Sequence, residues 1–116
     1  MHVVTGTILF GADFKPFVGA TVYARIEDAG RADARAQVVA ESVLRSVAAG
    51  GSSPVRIEFK IEAPLLESRA GYGIRVHVDV DGDGRVGIGD YVSTASHPLQ
   101  SGGHSTRATI PVKRVS

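Results

Sequence analysis

Val55-Arg56-Ile57-Glu58-Phe59-Lys60-Ile61-Glu62 alternates apolar and charged residues without a break. Successive side chains on a strand point to opposite faces, so this pattern means one dry face and one wet face. Val55, Ile57, Phe59 and Ile61 belong to a core, and Arg56, Glu58, Lys60 and Glu62 to a solvated face or a partner surface. A one-residue slip would exchange the two sets, so the register of such a strand is strongly specified. Small residues and glycine from Ala48 to Ser53 form a turn before it, and Pro64 ends it. Leu65 to Ala70 has the look of one helical turn resting its leucines on the core.

The same logic extends in both directions. Val3 to Phe10 is β-branched and aromatic and stops at Gly11, followed by a loop through Asp13, Pro16 and Gly19. Thr21 to Glu27 alternates, with Val22, Ala24 and Ile26 on one face. Asp28 to Arg35 is a polar connection. Val38 to Val47 is ambiguous: Val39, Val43 and Val47 recur every four residues as on a helix, yet also suit a strand. Its alanines and Glu41 lean towards helix on propensity alone. Tyr72 to Val80 alternates with Ile74, Val76, Val78 and Val80 inward, and Tyr91 to Ser96 returns beside it. His97 to Ser105 is a loop, and Thr106 to Lys113 is a final strand. Pro111 lacks an N–H and so places that last strand at an edge or a bulge. The expected architecture is all-β: a single-domain antiparallel β-sandwich over residues 1–116 with about seven strands. Val22, Ile26, Ile57, Phe59, Ile74, Val76, Val78 and Ile110 form its expected core.

Composition narrows the function classes. A chain of 116 residues that is 43% apolar supports one modest core. A net charge of +1 gives no electrostatic footprint for nucleic acid or an anionic membrane. Cysteine is absent, which removes disulfides, thiolate metal sites, a cysteine nucleophile and a lipid-acceptor cysteine from the chain as given. Met1-His2-Val3-Val4 runs directly into a strand pattern with no signal peptide, and no apolar run is long enough to span a membrane.

One stretch carries chemistry. Asp79-Val80-Asp81-Gly82-Asp83-Gly84-Arg85-Val86-Gly87-Ile88-Gly89-Asp90 places carboxylates at loop positions one, three, five and twelve, glycine at six and an aliphatic residue at eight. That spacing wraps oxygen ligands around Ca²⁺, with a backbone carbonyl at position seven. The expected ligands are Asp79, Asp81, Asp83, the carbonyl of Arg85, and Asp90. Asp-Gly-Asp-Gly alone would make a turn, but a turn needs no four carboxylates repelling one another in twelve residues. The flanks are strands rather than helices, so the loop closes a hairpin over 79–90. A short Asp closes it and Gly87 has no side chain at position nine, so water completes the shell and affinity is modest.

Val4-Thr5-Gly6-Thr7-Ile8, Gly19-Ala20-Thr21-Val22, Arg25-Ile26-Glu27-Asp28, Ala32-Asp33-Ala34 and Val39-Ala40-Glu41 form one series of short segments. Pro54 to Phe59, Tyr72-Gly73-Ile74-Arg75-Val76, and Ser93-Thr94 leading to Pro98 extend it. Taken together these segments resemble the YbaY/YscW lipoprotein family. The resemblance implies a prealbumin-like sandwich and tips Val38 to Val47 towards strand. It further implies a pilotin or chaperone-like role, with a secretin or an extended peptide as protein partner, in the manner of periplasmic and outer-membrane lipoproteins. The expected function is thus a non-enzymatic calcium-binding interaction module. An orphan structural domain whose metal only stiffens a hairpin is the alternative.

Catalysis is the third reading. His2, His77, His97 and His104 are scattered singly, and His77 stands two residues before Asp79 on the polar face of its strand. A shared site with His97 is conceivable, but no nucleophile sits in a strained turn. Gly84 to Gly89 lacks the lysine and helix of a phosphate-binding loop.

Overall fold

The computed structural model describes residues 2–28, 37–50, 55–63, 71–93, 97–99 and 105–116. They form eight strands, with no helix among the described residues: β1 (His2–Phe10), β2 (Phe17–Asp28), β3 (Gln37–Ala49), β4 (Arg56–Ala63), β5 (Tyr72–Asp79), β6 (Tyr91–Ser93), β7 (His97–Leu99) and β8 (Ser105–Arg114). Consequently no described helix is long and apolar enough to cross a membrane. The helical turn expected over Leu65 to Ala70 lies outside the described residues, as does most of the connection from Asp28 to Arg35.

All the strands join one sheet in the order β3-β2-β5-β6-β8-β1-β4, with β7 also pairing with β5. β6 meets β5 at His77 and Val78, and β7 meets the same edge at Tyr72 to Ile74. The first and last strands run parallel, from Val3 opposite Ser105 to Phe10 opposite Val112, while the other pairs are antiparallel. The end strands β3 and β4 lie against each other without a ladder among the described residues, so the sheet curls into a nearly closed barrel.

The all-β expectation stands, but two separate antiparallel sheets of a prealbumin-like sandwich are not what forms. Alternation reports only that each strand has a wet and a dry face. Two stacked sheets and one curled sheet satisfy it equally. What decides is the pairing of β8 with both β6 and β1, which ties the two halves together and leaves fewer free edges.

The burial pattern follows the sequence closely. Val22, Ile26, Phe59, Ile74, Val76, Val78 and Ile110 are buried, and Ile57 is half-buried against the same cluster. Val4, Ile8, Ile61 and Tyr91 complete its centre, and Arg56, Glu58, Lys60 and Glu62 are exposed as expected. Val38 to Val47 lies within a strand, Gln37–Ala49, which slips register against β2 at three places and turns left-handed at Ser46 (φ 55°). β2 starts at Phe17 rather than Thr21, because Phe17 joins the buried ring cluster of Phe10, Phe14 and Tyr91.

Two expectations fail. His97 to Leu99, expected as loop, is a strand: three residues and a proline are too short to show a period. β8 is not an edge strand despite Pro111, since it lies between β6 and β1. The β6 ladder covers Val112 to Arg114 and stops short of Pro111, so among the described residues Pro111 meets only β1, where it stands opposite Leu9.

Gly6 shows how tightly β1 and β4 are fitted. It stands opposite Phe59, and a Cβ there would fall inside the Phe59 ring. Alanine normally suits a strand better than glycine, so the steric term opposes the propensity term at this position. Gly6→Ala is expected to lower stability by about 1–3 kcal/mol in urea unfolding, the usual cost of overpacking. The loss should shrink in a Phe59→Leu background, and a Gly6→Ala protein more stable than its parent would contradict this packing.

Candidate metal centre

The acidic loop leaves β5 at Asp79 and re-enters the sheet at Tyr91. Gly82, Gly84 and Gly89 adopt left-handed φ values of 74°, 78° and 94°. Gly84 is the glycine at position six, and its turn is open to a residue without a Cβ at little cost. The folded loop brings ligand oxygens of Asp79, Asp81, Asp83 and Asp90 within 4.8 Å of one another. All four carboxylates singled out from spacing therefore converge.

Their environments differ. Asp79 and Asp90 are 1% and 0% exposed, whereas Asp81 and Asp83 are open to solvent. Buried carboxylates need donors, and the loop backbone supplies them. Asp79 accepts from Gly82 N–H at 3.1 Å and Gly84 N–H at 2.7 Å. Asp90 accepts from Val80 N–H and Gly87 N–H, each at 3.0 Å, and from His77 Nε2 at 2.9 Å. The Arg85 N–H donates to Asp83 at 2.9 Å, which holds the residue expected to lend its carbonyl within the loop. Two further backbone bonds, Gly89 N–H to Val115 O and Val115 N–H to Asp90 O, both 2.8 Å, tie the loop to the chain after β8.

Burial pushes the Asp79 carboxyl up, but the Gly84 N–H, the hydrogen bond with Asp81 and the Gly82 N–H together hold it below the usual carboxylate range. Asp81 moves up, first because it shares a hydrogen bond with Asp79.

His77 departs from its expected place on a solvated face. It is buried, stacks on Tyr23 with centroids 5.7 Å apart, and forms a second cluster with Asp79 and Asp90, again with ligand atoms within 4.8 Å. The loop folds over the outer face of β5 and removes it from water, which alternation cannot show. The legible signal was the two-residue spacing of His77 and Asp79, which sets both on one face of a strand. The side chains of His97 and His104 lie outside the described residues. His2 is buried in β1.

Beside the loop lies a groove of about 160 Å³. Tyr23 and Arg25 of β2, Arg75 and His77 of β5, and Val92 of β6 line it, together with Val86 of the loop. Arg25 lies 5.0 Å above the Tyr23 ring and pairs with Glu41, and Arg75 pairs with Glu27 at 2.7 Å. Each groove cation is therefore neutralised by a carboxylate of a neighbouring strand. The groove so combines an aromatic floor, aliphatic walls and a balanced charged rim. Val86 and Ile88 remain 59% and 78% exposed on the loop.

A family model described as type III secretion system lipoprotein chaperone (YscW) matches residues 1–112. Among solved structures, the alternative pilotin from the type II secretion system of Vibrio cholerae aligns with a TM-score of 0.72 at 16% identity. The alignment covers 99% of this chain and 97% of that one, and at this identity it shows a shared fold. No curated protein matches the chain.

Removing the Asp90 carboxylate would orphan the N–H groups of Val80 and Gly87 and leave His77 without its acceptor. Asp90→Ala is expected to cost about 1–3 kcal/mol in urea unfolding with chelator present, the range for stranded buried donors. Asp81→Ala, on an exposed residue, should leave the midpoint near the parent's. Equal midpoints for all three proteins would contradict the role given to Asp90.

Proposed function

The chain belongs to the YscW family of type III secretion system lipoprotein chaperones, and on that premise we propose that it is a non-enzymatic secretion chaperone whose acidic loop binds Ca²⁺. Its partner in this reading is a secretin, and the partner's docking place is the groove beside the loop. One observation carries the link between metal and partner: Val86 is position eight of the loop and also a wall of the groove. An ion drawn in by Asp79, Asp81, Asp83 and Asp90 would set the loop and, with it, that wall. Asp79 and Asp90 are buried and each held by two backbone N–H groups, whereas Asp81 and Asp83 are exposed with one each, so the ion would mainly order Asp81 and Asp83. The balanced charges of Arg25, Arg75, Glu27 and Glu41 favour an amphipathic segment over a highly charged one. A purely structural role for the metal is the competing reading, and it predicts a partner that ignores the ion.

Two measurements separate these readings. In thermal melts with excess Ca²⁺ against chelator, the parent should gain about 2.7 kcal/mol when free ion is a hundredfold above its dissociation constant. Asp81→Asn should lose that gain while keeping its melting point in chelator. Binding to the secretin of the same secretion system should then weaken in chelator and with Tyr23→Ala. A melting point indifferent to calcium would remove the metal from the proposal. Secretin binding indifferent to Tyr23→Ala would remove the groove.

A further inference from the structure

The return from the metal loop into β6 turns on one glycine. Asp90 N–H donates to Gly87 O at 3.1 Å, closing a turn over Gly87-Ile88-Gly89-Asp90, and Gly89 in that turn has a φ of 94°. A positive φ at the third turn residue marks a type II turn, and glycine supplies it without a steric penalty. The same glycine then enters the sheet. Its N–H donates to Val115 O and Val115 N–H donates to Asp90 O, both at 2.8 Å, while Tyr91 stands opposite Arg114. Gly89 and Asp90 therefore share one opposing residue, Val115. Two residues against one, with a left-handed glycine first, make a G1 β-bulge.

A bulge bends its strand and re-aims the side chains beside it. The side chain beside this one belongs to Asp90, which is fully buried, accepts from the Val80 and Gly87 N–H groups, and bonds His77 Nε2. Neither half of the bulge follows from the calcium spacing. Gly89 is position eleven of the loop, where that spacing asks for nothing, and Val115 lies beyond β8. Val115 is itself held in place, because the Arg114 N–H donates to Asp13 Oδ2 at 2.7 Å and Arg114 pairs with Tyr91. Among the described residues, a Cβ on Gly89 would meet nothing nearer than Arg114 Nη2, at 3.9 Å. Space for a side chain is thus present, and only the left-handed backbone reserves the position for glycine.

We propose that the bulge of Gly89 and Asp90 against Val115 aims the Asp90 carboxylate into the cluster, which makes Gly89 and Val115 positioning residues of the metal centre. Gly89 acts through its dihedral freedom and Val115 through its backbone, so neither lends the ion an atom. Without the left-handed turn at 89, Asp90 would leave its place between the Val80 and Gly87 N–H groups, and the loop would lose its closing carboxylate. The consequence for ion affinity rests on the calcium reading. The aim of the carboxylate does not, and the two are measured separately.

Amide exchange and the His77 ring resonances, followed by NMR in chelator, read the aim of Asp90 without any ion. Gly89→Ala should lower protection of the Val80 and Gly87 amides roughly tenfold relative to core strand amides, given the cost of left-handed backbone at a residue with a Cβ. The His77 ring nitrogen signal should move with it. Gly89→Asn, which tolerates that backbone, should stay within about twofold of the parent. Val115→Pro, which removes the N–H bonded to Asp90 O, should behave as Gly89→Ala, and Val115→Ala as the parent. In Ca²⁺ titrations Gly89→Ala and Val115→Pro should bind roughly tenfold more weakly. A purely stabilising role would lower protection throughout the sheet and leave the ion affinity of the folded chain unchanged. That pattern would overturn the proposal, as would Gly89→Asn failing as badly as Gly89→Ala. If Gly89→Ala does not fold, the two Val115 variants decide by the same measures. A parent that ignores Ca²⁺, with Val80 and Gly87 protection lost in the variants, would remove the metal and leave the role of the bulge standing. Gly89→Ala and Val115→Pro proteins that bind Ca²⁺ as tightly as a calcium-binding parent would keep the metal and overturn the proposal.

Discussion

Two carboxylates withdrawn from water set the conditions for the loop and everything beside it. An ionised group at the exposure of Asp79 or Asp90 is tolerable only if donors replace its hydration. The loop meets that need with its own backbone: Val80 and Gly87 turn their N–H groups to Asp90, and Gly82 and Gly84 turn theirs to Asp79. Each of these bonds also fixes a dihedral choice. The positive φ values at Gly82 and Gly84 belong to the same arrangement, since the chain must double back to aim its amides inward. The loop is thus ordered from its carboxylates outward, with the glycines making that order sterically cheap.

The sheet supplies the platform. β5 lies at its middle, paired with β2 on one side and with β6 and β7 on the other. This position puts Asp79 at the end of a strand buried on both faces, with Val76 and Val78 towards the core and His77 under the loop. The return into β6 is anchored by Tyr91, whose hydroxyl accepts from the Lys15 N–H at 2.8 Å and whose ring meets Phe10 edge-on at 5.0 Å. The loop therefore hangs between two residues that the core holds rigidly. Ends fixed in this way favour a cluster of carboxylates that is already gathered in the folded chain.

His77 connects this cluster to the outer surface. It touches Asp90 on one side and stacks on Tyr23 on the other, and Tyr23 in turn carries Arg25. From the Arg25–Glu41 pair on β2 and β3 to the Asp90 carboxylate, the contacts are continuous. Groove and loop thus meet at Val86, which belongs to both, and at His77, which lines one and touches the other.

The sequence by itself determined the local alternatives. Strict alternation from Val55 to Glu62 separated a dry face from a wet one, because strand geometry leaves no other option. The spacing from Asp79 to Asp90 placed four carboxylates where a twelve-residue loop must bring them together, and they do converge. Both signals lie within about a dozen residues, where backbone geometry alone relates one side chain to another. Tertiary structure decided what depends on distant partners. Alternation is blind to whether strands stack as two sheets or curl as one, and the parallel pairing of β1 with β8 settled that across almost the whole chain. His77 read as solvated because its neighbours in sequence leave it so, and it is buried because a loop beginning two residues later folds back over it. Pro111 read as the mark of an edge or a bulge, yet its strand is interior because distant β6 and β1 pair with it on its two sides, the β6 ladder ending at Val112. Each difference has the same cause: a strand's periodicity records which faces meet water, while its neighbours are chosen by contacts far away in the chain.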